Sequence, residues 1–328
     1  MIGTPARLAW YAAGVAVVFA GAFGAGGAVA PAARPAAAPA APAGHDAHAG
    51  GTPDRAPQGP PAGLQISERG YTLVPAVTGL PPGDPVPFRF TVLGPDGRPV
   101  TRYDVEHDKK MHLIVASRDL GDFRHLHPEL GADGTWSVPL ALPRPGAYRV
   151  FADFAPQGGA GLTLGADLTA PGESAARPLP ALSRTATVDA YTVTLEGELV
   201  PGRSSRLTLR VARDGRPVTD LQPYLGAFGH LVALRAGDLA YLHVHPEGEP
   251  GDGRTPAGPE ITFAAEVPSA GEYRLFLDFR HAGTVRTAAF TARAGQAPPR
   301  PATPEATSKA TPEAGPPADD HGDPGHGH

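Results

Sequence analysis

The chain has 328 residues, of which 42 are glycine and 40 proline, so about a quarter of it resists regular structure and the rest suffices for two domains of ordinary size. Its formal charge is −5 and no basic stripe is present, which argues against nucleic acid as a partner. Cysteine is absent, and with it disulfides, thiolate nucleophiles, cysteine zinc sites and Cys-ligated copper.

Residues 8–30 carry no charge and are apolar throughout, long enough to cross a bilayer core, which needs about 20 residues of helix. Arg7 precedes the run, and by the positive-inside rule it keeps the N-terminus cytoplasmic. Ala28-Val29-Ala30 resembles a peptidase site, but Pro31 follows it, and the run exceeds a usual signal core. The expectation is a signal anchor or transmembrane helix over 1–30, with cleavage and secretion as the alternative. Both put the remainder outside the cytoplasm. Residues 31–63, rich in Ala, Pro and Gly, read as a disordered linker. Residues 295–328 read as a disordered tail with His321, His326 and His328 at its tip.

From Leu64 short runs of Val, Leu, Phe, Tyr and Thr alternate with Gly, Pro and Asp turns, the texture of an all-β sandwich. The predicted strands of a first copy are 71–77, 86–93, 112–117, 123–127, 135–142, 147–154 and 161–168. Those of a second are 187–198, 205–211, 230–235, 239–245, 260–267, 271–279 and 285–292. The two copies, placed at 64–182 and 183–294, are related by a constant offset of 118 positions: 112 to 230, 125 to 243 and 127 to 245. The same offset aligns Asp96-Gly-Arg-Pro-Val-Thr101 with Asp214-Gly-Arg-Pro-Val-Thr219, whose Asp-Gly pairs suit type I′ turns. A Gly/Pro-rich insertion at 248–259 then lengthens the offset, and Tyr148-Arg-Val-Phe-Ala-Asp153-Phe154 aligns with Tyr273-Arg-Leu-Phe-Leu-Asp278-Phe279.

Each copy repeats three histidines: His112, His125 and His127 in the first, His230, His243 and His245 in the second. On a strand, residues i and i+2 share a face about 7 Å apart, so each His-x-His pair projects together. The short connection before each pair predicts an antiparallel hairpin, which sets His112 near His127 and His230 near His245. Three imidazoles with no thiolate suit Cu(II) or Zn(II). Asp153 and Asp278 are then either oxygen ligands or groups that orient a histidine. The two histidine faces can oppose each other across a domain interface. A second reading stands beside this one: a duplicated structural corner whose imidazoles hydrogen-bond within the fold. His107 and His281 lack repeat partners and are expected in solvent. No phosphate loop, nucleophile elbow or His-Glu-x-x-His helix is present, so no enzyme activity is expected.

The segments Met111-His-Leu-Ile-Val-Ala-Ser-Arg-Asp-Leu, Phe123-Arg-His-Leu-His-Pro-Glu129, Gly229-His-Leu-Val-Ala-Leu-Arg and Asp238-Leu-Ala-Tyr-Leu-His-Val-His-Pro246 resemble actinobacterial membrane-anchored secreted proteins with YtkA-like and related metal-handling β-sandwich domains. The resemblance covers about Leu64 to Arg293 and implies an extracytoplasmic location and handling of copper or another heavy metal. The combined expectation is an all-β protein of two tandem immunoglobulin-like β-sandwiches behind a membrane helix. It would bind Cu(II) or Zn(II) for storage, delivery or tolerance. The alternative is a non-catalytic module that binds another cell-envelope protein, with structural histidines.

Overall fold

Alternation along the strands decides the layers. In Val86–Leu93 the side chains of Phe88, Phe90 and Val92 are buried while Arg89 is exposed; in Ser204–Arg213, Leu207, Leu209 and Val211 are buried while Arg206 and Arg210 are exposed. Each buried face needs a partner, and burial of one Phe or Leu side chain contributes about 1.5–3 kcal/mol. The computed structural model describes residues 60–242 and 244–295. The membrane helix expected over 1–30, most of the linker, the tail beyond Gly295 and His243 lie outside the described residues.

The first copy contains β1 (Ser67–Glu68), β2 (Tyr71–Pro75), β3 (Val86–Leu93), β4 (His112–Ser117), β5 (Phe123–Leu126), β6 (Glu129–Leu130), β7 (Thr135–Leu140), β8 (Gly146–Phe154) and β9 (Leu162–Ala170). They form two sheets, ordered β1-β2-β3-β7-β6 and β5-β4-β8-β9. The second copy contains β10 (Thr185–Val188), β11 (Tyr191–Glu196), β12 (Ser204–Arg213), β13 (Arg216–Pro217), β14 (Gly229–Arg235), β15 (Tyr241–Leu242), β16 (Val244–Pro246), β17 (Glu260–Glu266), β18 (Gly271–His281) and β19 (Thr284–Ala294). Its sheets run β10-β11-β12-β17-β16, with β13 on β12, and β15-β14-β18-β19. No helix occurs among the described residues. This strand order is similar to that of immunoglobulin-like sandwiches. Both copies also carry the accompanying tyrosine corner: the Tyr148 hydroxyl donates to the Arg144 carbonyl at 2.8 Å, and the Tyr273 hydroxyl to the Ser269 carbonyl at 2.7 Å.

Each pair of sheets encloses its own core. In the first, Leu73, Phe88, Phe90 and Trp136 meet Leu113, Val115, Val150 and Leu164; in the second, Val193, Leu207, Leu209 and Phe263 meet Leu231, Ala233, Leu275 and Phe290. A third apolar cluster lies between the copies. It joins Ile114, Ala116, Leu120 and Phe151 of the first to Val232, Leu234, Leu239, Tyr241 and Phe276 of the second. This explains an anomaly of β4 and β14. An antiparallel strand with one wet face should alternate, yet all six residues of β4 and six of the seven of β14 are buried. One face of each serves its own core and the other serves the neighbouring copy.

Several expected elements differ. The strand expected over 187–198 is two strands turning at Asp189, which has φ 49°. The strand expected over 239–245 is interrupted, with β15 and β16 in different sheets. Asp214 and Gly215 both take positive φ, as a type I′ turn requires, but at Asp96-Gly97 only Gly97 does, and the Gly97 amide donates to the Gly94 carbonyl. The end of the expected linker is ordered as well. The Tyr241 amide donates to the Ala62 carbonyl, the Gly63 amide donates to the Thr163 carbonyl, and Arg149 donates to the carbonyls of Gly63 and Leu64. Gly165 permits this approach, since a Cβ there would lie 2.0 Å from the Gly63 oxygen.

Candidate metal centre

Strand parity places the site. His112, Ile114 and Ala116 share the face of β4 that meets the other copy, because Leu113 and Val115 face the core. On β5 the same face carries Phe123 and His125, and on β18 it carries Phe276 and Asp278. In register, His112 pairs with Asp153 and His230 with Asp278. The β4–β5 connection is pinned by the Asp119 carboxylate, which accepts from Ser117 Oγ, the Gly121 amide and Arg144 Nη2. Burial raises the Asp119 carboxyl, but these bonds and one from the Arg177 amide outweigh it and hold it well below the usual carboxylate range.

The hairpin delivers His112, His125 and His127 to one point, with one ring nitrogen of each within 4.8 Å of the others. His112 Nδ1 lies 3.1 Å from His125 Nε2. The remaining nitrogens of that pair are spoken for. His112 Nε2 donates to the Glu106 carbonyl at 3.1 Å, and His125 Nδ1 donates to Asp278 Oδ2 of the second copy at 2.8 Å. Asp278 Oδ1 in turn accepts from the Thr287 hydroxyl at 2.5 Å. His127 Nε2 is buried and has no hydrogen-bond partner.

Those contacts determine the protons. A carbonyl and a carboxylate only accept, so the hydrogens sit on His112 Nε2 and His125 Nδ1. In neutral rings the lone pairs of His112 Nδ1 and His125 Nε2 then face each other. Burial, opposed in part by the Glu106 carbonyl, lowers the His112 pKa to about 4. Burial, with the neighbouring imidazoles, lowers that of His127 to about 3. Burial also pushes His230 well below its usual value. A single proton shared by His112 and His125 would serve that pair and leave His127 Nε2 without a partner.

The second copy is not a replica of the first. His230 turns toward the first triplet, its ring centre 4.8 Å from that of His125 and 5.2 Å from that of His112. His245 is exposed on β16, where it pairs with Ala264 of β17 in the opposite sheet. The expected hairpin of 230–235 with 239–245 therefore ends at Leu242. In the first copy the chain leaves β4 after Leu126 and joins the opposite sheet only at Glu129, so His127 lies in the crossing between sheets. In the second copy it has crossed by Val244, and His245 is carried away with it.

Sequence reasoning missed two residues. His107, expected in solvent, is half-buried with its ring 5.5 Å from His230 and 6.1 Å from His112. Tyr224 lies 6.4 Å from His127, and burial raises its pKa to about 12. The offset of 118 was the available signal, because it aligns the turn 106–109 with 224–227, whose amides and carbonyls pair alike. His281, also expected in solvent, is buried, between the Tyr191 hydroxyl at 2.6 Å and Asp220 at 3.1 Å.

Residues 67–170 and 186–296 each match the domain of unknown function DUF8832, and the chain belongs to that family. The family matched is this one and not the YtkA-like group expected from the histidine segments. No curated protein matches the chain. Among solved structures it is similar to the Escherichia coli adhesin FdeC (12% identity, TM-score 0.23, covering 70% of this chain and 65% of that one). It is also similar to the Yersinia pseudotuberculosis adhesin InvE (12%, 0.21, 70% and 60%) and to InvD of the same organism (16%, 0.21, 71% and 62%). The chain thus spans less than two thirds of the length of these structures. At such TM-scores the likeness decides nothing further about the chain.

Proposed function

We propose that this chain is a non-catalytic metal-binding protein of the cell envelope that holds Cu(II) or Zn(II) between its two repeats for storage, delivery or tolerance. The observation that supports it is the trio of convergent imidazole nitrogens, together with the buried, partnerless Nε2 of His127. A buried unpaired polar atom costs about 1–3 kcal/mol, and coordination removes that cost. The donor set fits the ions named, being all nitrogen. Ligand nitrogens on a tetrahedral ion at 2.0–2.1 Å lie about 3.3 Å apart, so no pair within the 4.8 Å cluster has more than about 1.5 Å to close by side-chain rotation. Asp278 and the Glu106 carbonyl would hold His125 and His112 in the ligating tautomer, as outer acceptors do in metal sites. The envelope location is carried by the uncharged run at 8–30.

Calorimetric titration of the full chain with Cu(II) and Zn(II) tests this, in a background where the histidines outside the repeats (His45, His48, His321, His326 and His328) are alanine. The expected result is stoichiometric binding that H125A/H127A abolishes while the β-sheet circular dichroism is kept. Equal isotherms in parent and double variant would leave the histidines as fasteners of the interface, and the chain as an envelope interaction module.

A further inference from the structure

We infer that the centre is four-coordinate and shared between the repeats, with His230 supplying the fourth nitrogen beside His112, His125 and His127. The inference rests on the metal reading above. The centre of an imidazole ring sits about 3.2 Å from an ion bound at 2.0–2.1 Å, so two imidazoles on one tetrahedral ion have ring centres about 5.2 Å apart. The ring centres are 5.3 Å apart for His112 and His125, 5.2 Å for His112 and His127, and 4.8 Å for His125 and His127. His230 stands at the same spacing from two of the three, 5.2 Å from His112 and 4.8 Å from His125; it lies outside the 4.8 Å nitrogen cluster of the triplet and would join it by side-chain rotation toward His127. His107, 6.1 Å from His112, stands farther out and borders the centre.

The repeat explains why this residue is available. His230 is the counterpart of His112, and the two rings lie nearly parallel, 7° apart, where the faces of the two copies meet. The aromatic contacts there come in matched pairs: Phe123 against Phe276 at 4.0 Å, and Tyr241, the counterpart of Phe123, against Phe151, the counterpart of Phe276, at 5.8 Å. Such an isologous arrangement sets equivalent residues side by side at its axis. His230 is 9% exposed and His112 4%, so the centre is closed to solvent.

Four protein nitrogens leave no position for water or substrate, the arrangement of ion-holding rather than hydrolytic centres. Because His230 and Asp278 come from the second repeat, the ion also ties the repeats together. The test is Zn X-ray absorption on the full chain in the same background, loaded with one equivalent of Zn(II), with competitive titration of H230A and H230Q. The expected result is four imidazole nitrogens in the parent and affinity lower by at least ~10-fold in both variants. Three nitrogens plus an oxygen in the parent, or four that persist with unchanged affinity in H230Q, would overturn the assignment of His230 and keep the triplet. Failure of the parent to bind one equivalent would overturn the underlying metal reading instead.

Discussion

At the residue scale the fold buries His112, His127 and His230 where protonation of those three rings is unfavourable. The folded-state pKa values of His112 and His127, about 4 and about 3, lie below the ordinary value of ~6.5, and His230 is shifted the same way. The unfolded chain therefore takes up protons first as pH falls. Stability from these groups is fully present above about pH 6.5 and is lost progressively toward pH 4 to 3, where the folded rings protonate too. Thermal melts of chelator-treated protein between pH 7.5 and 4.5 should show a melting temperature that declines from about pH 6.5 downward, with up to three protons bound on unfolding. A flat profile across that range would contradict the burial of these rings.

At the element scale the two edge crossings separate what the repeat makes alike. β4 with β5 and β14 with β15 keep the same register, Ala116 opposite Phe123 and Leu234 opposite Tyr241. The copies part only where the strand changes sheets, and that difference leaves His127 beside His112 and His125 and carries His245 to the opposite sheet. The tyrosine corners belong to the same scale. Each ties the start of β8 or β18 to the chain four residues before it, and so steadies the strand that carries Asp153 or Asp278. Tyr148→Phe and Tyr273→Phe should each cost about 0.5–1.5 kcal/mol by urea denaturation. A loss within experimental error at both positions would show that the hydroxyls contribute nothing.

At the scale of the whole molecule, the apolar cluster between the copies makes two sandwiches into one unfolding unit. Phe123 stacked on Phe276 at 4.0 Å, with Phe151, Tyr241 and one face each of β4 and β14, buries an interface that neither copy can leave exposed without cost. Calorimetry of the full chain should show one cooperative transition. Phe276→Ala, which removes about 3–5 kcal/mol from such a site, should split it in two. Two transitions in the unmutated chain would refute the coupling.

The chain by itself determined the duplication, the all-β character, most strand positions and the convergence of His112, His125 and His127, because period-2 alternation and short connections are local properties. In the folded chain the apolar runs after His112 and His230 are covered on both faces. Only the tertiary structure decided that the other copy covers one of them, that Asp278 and His230 reach the first triplet, and that His245 leaves its own. Those outcomes depend on how two folded surfaces meet and on where one strand crosses between sheets, and neither is encoded in the spacing of residues along a strand.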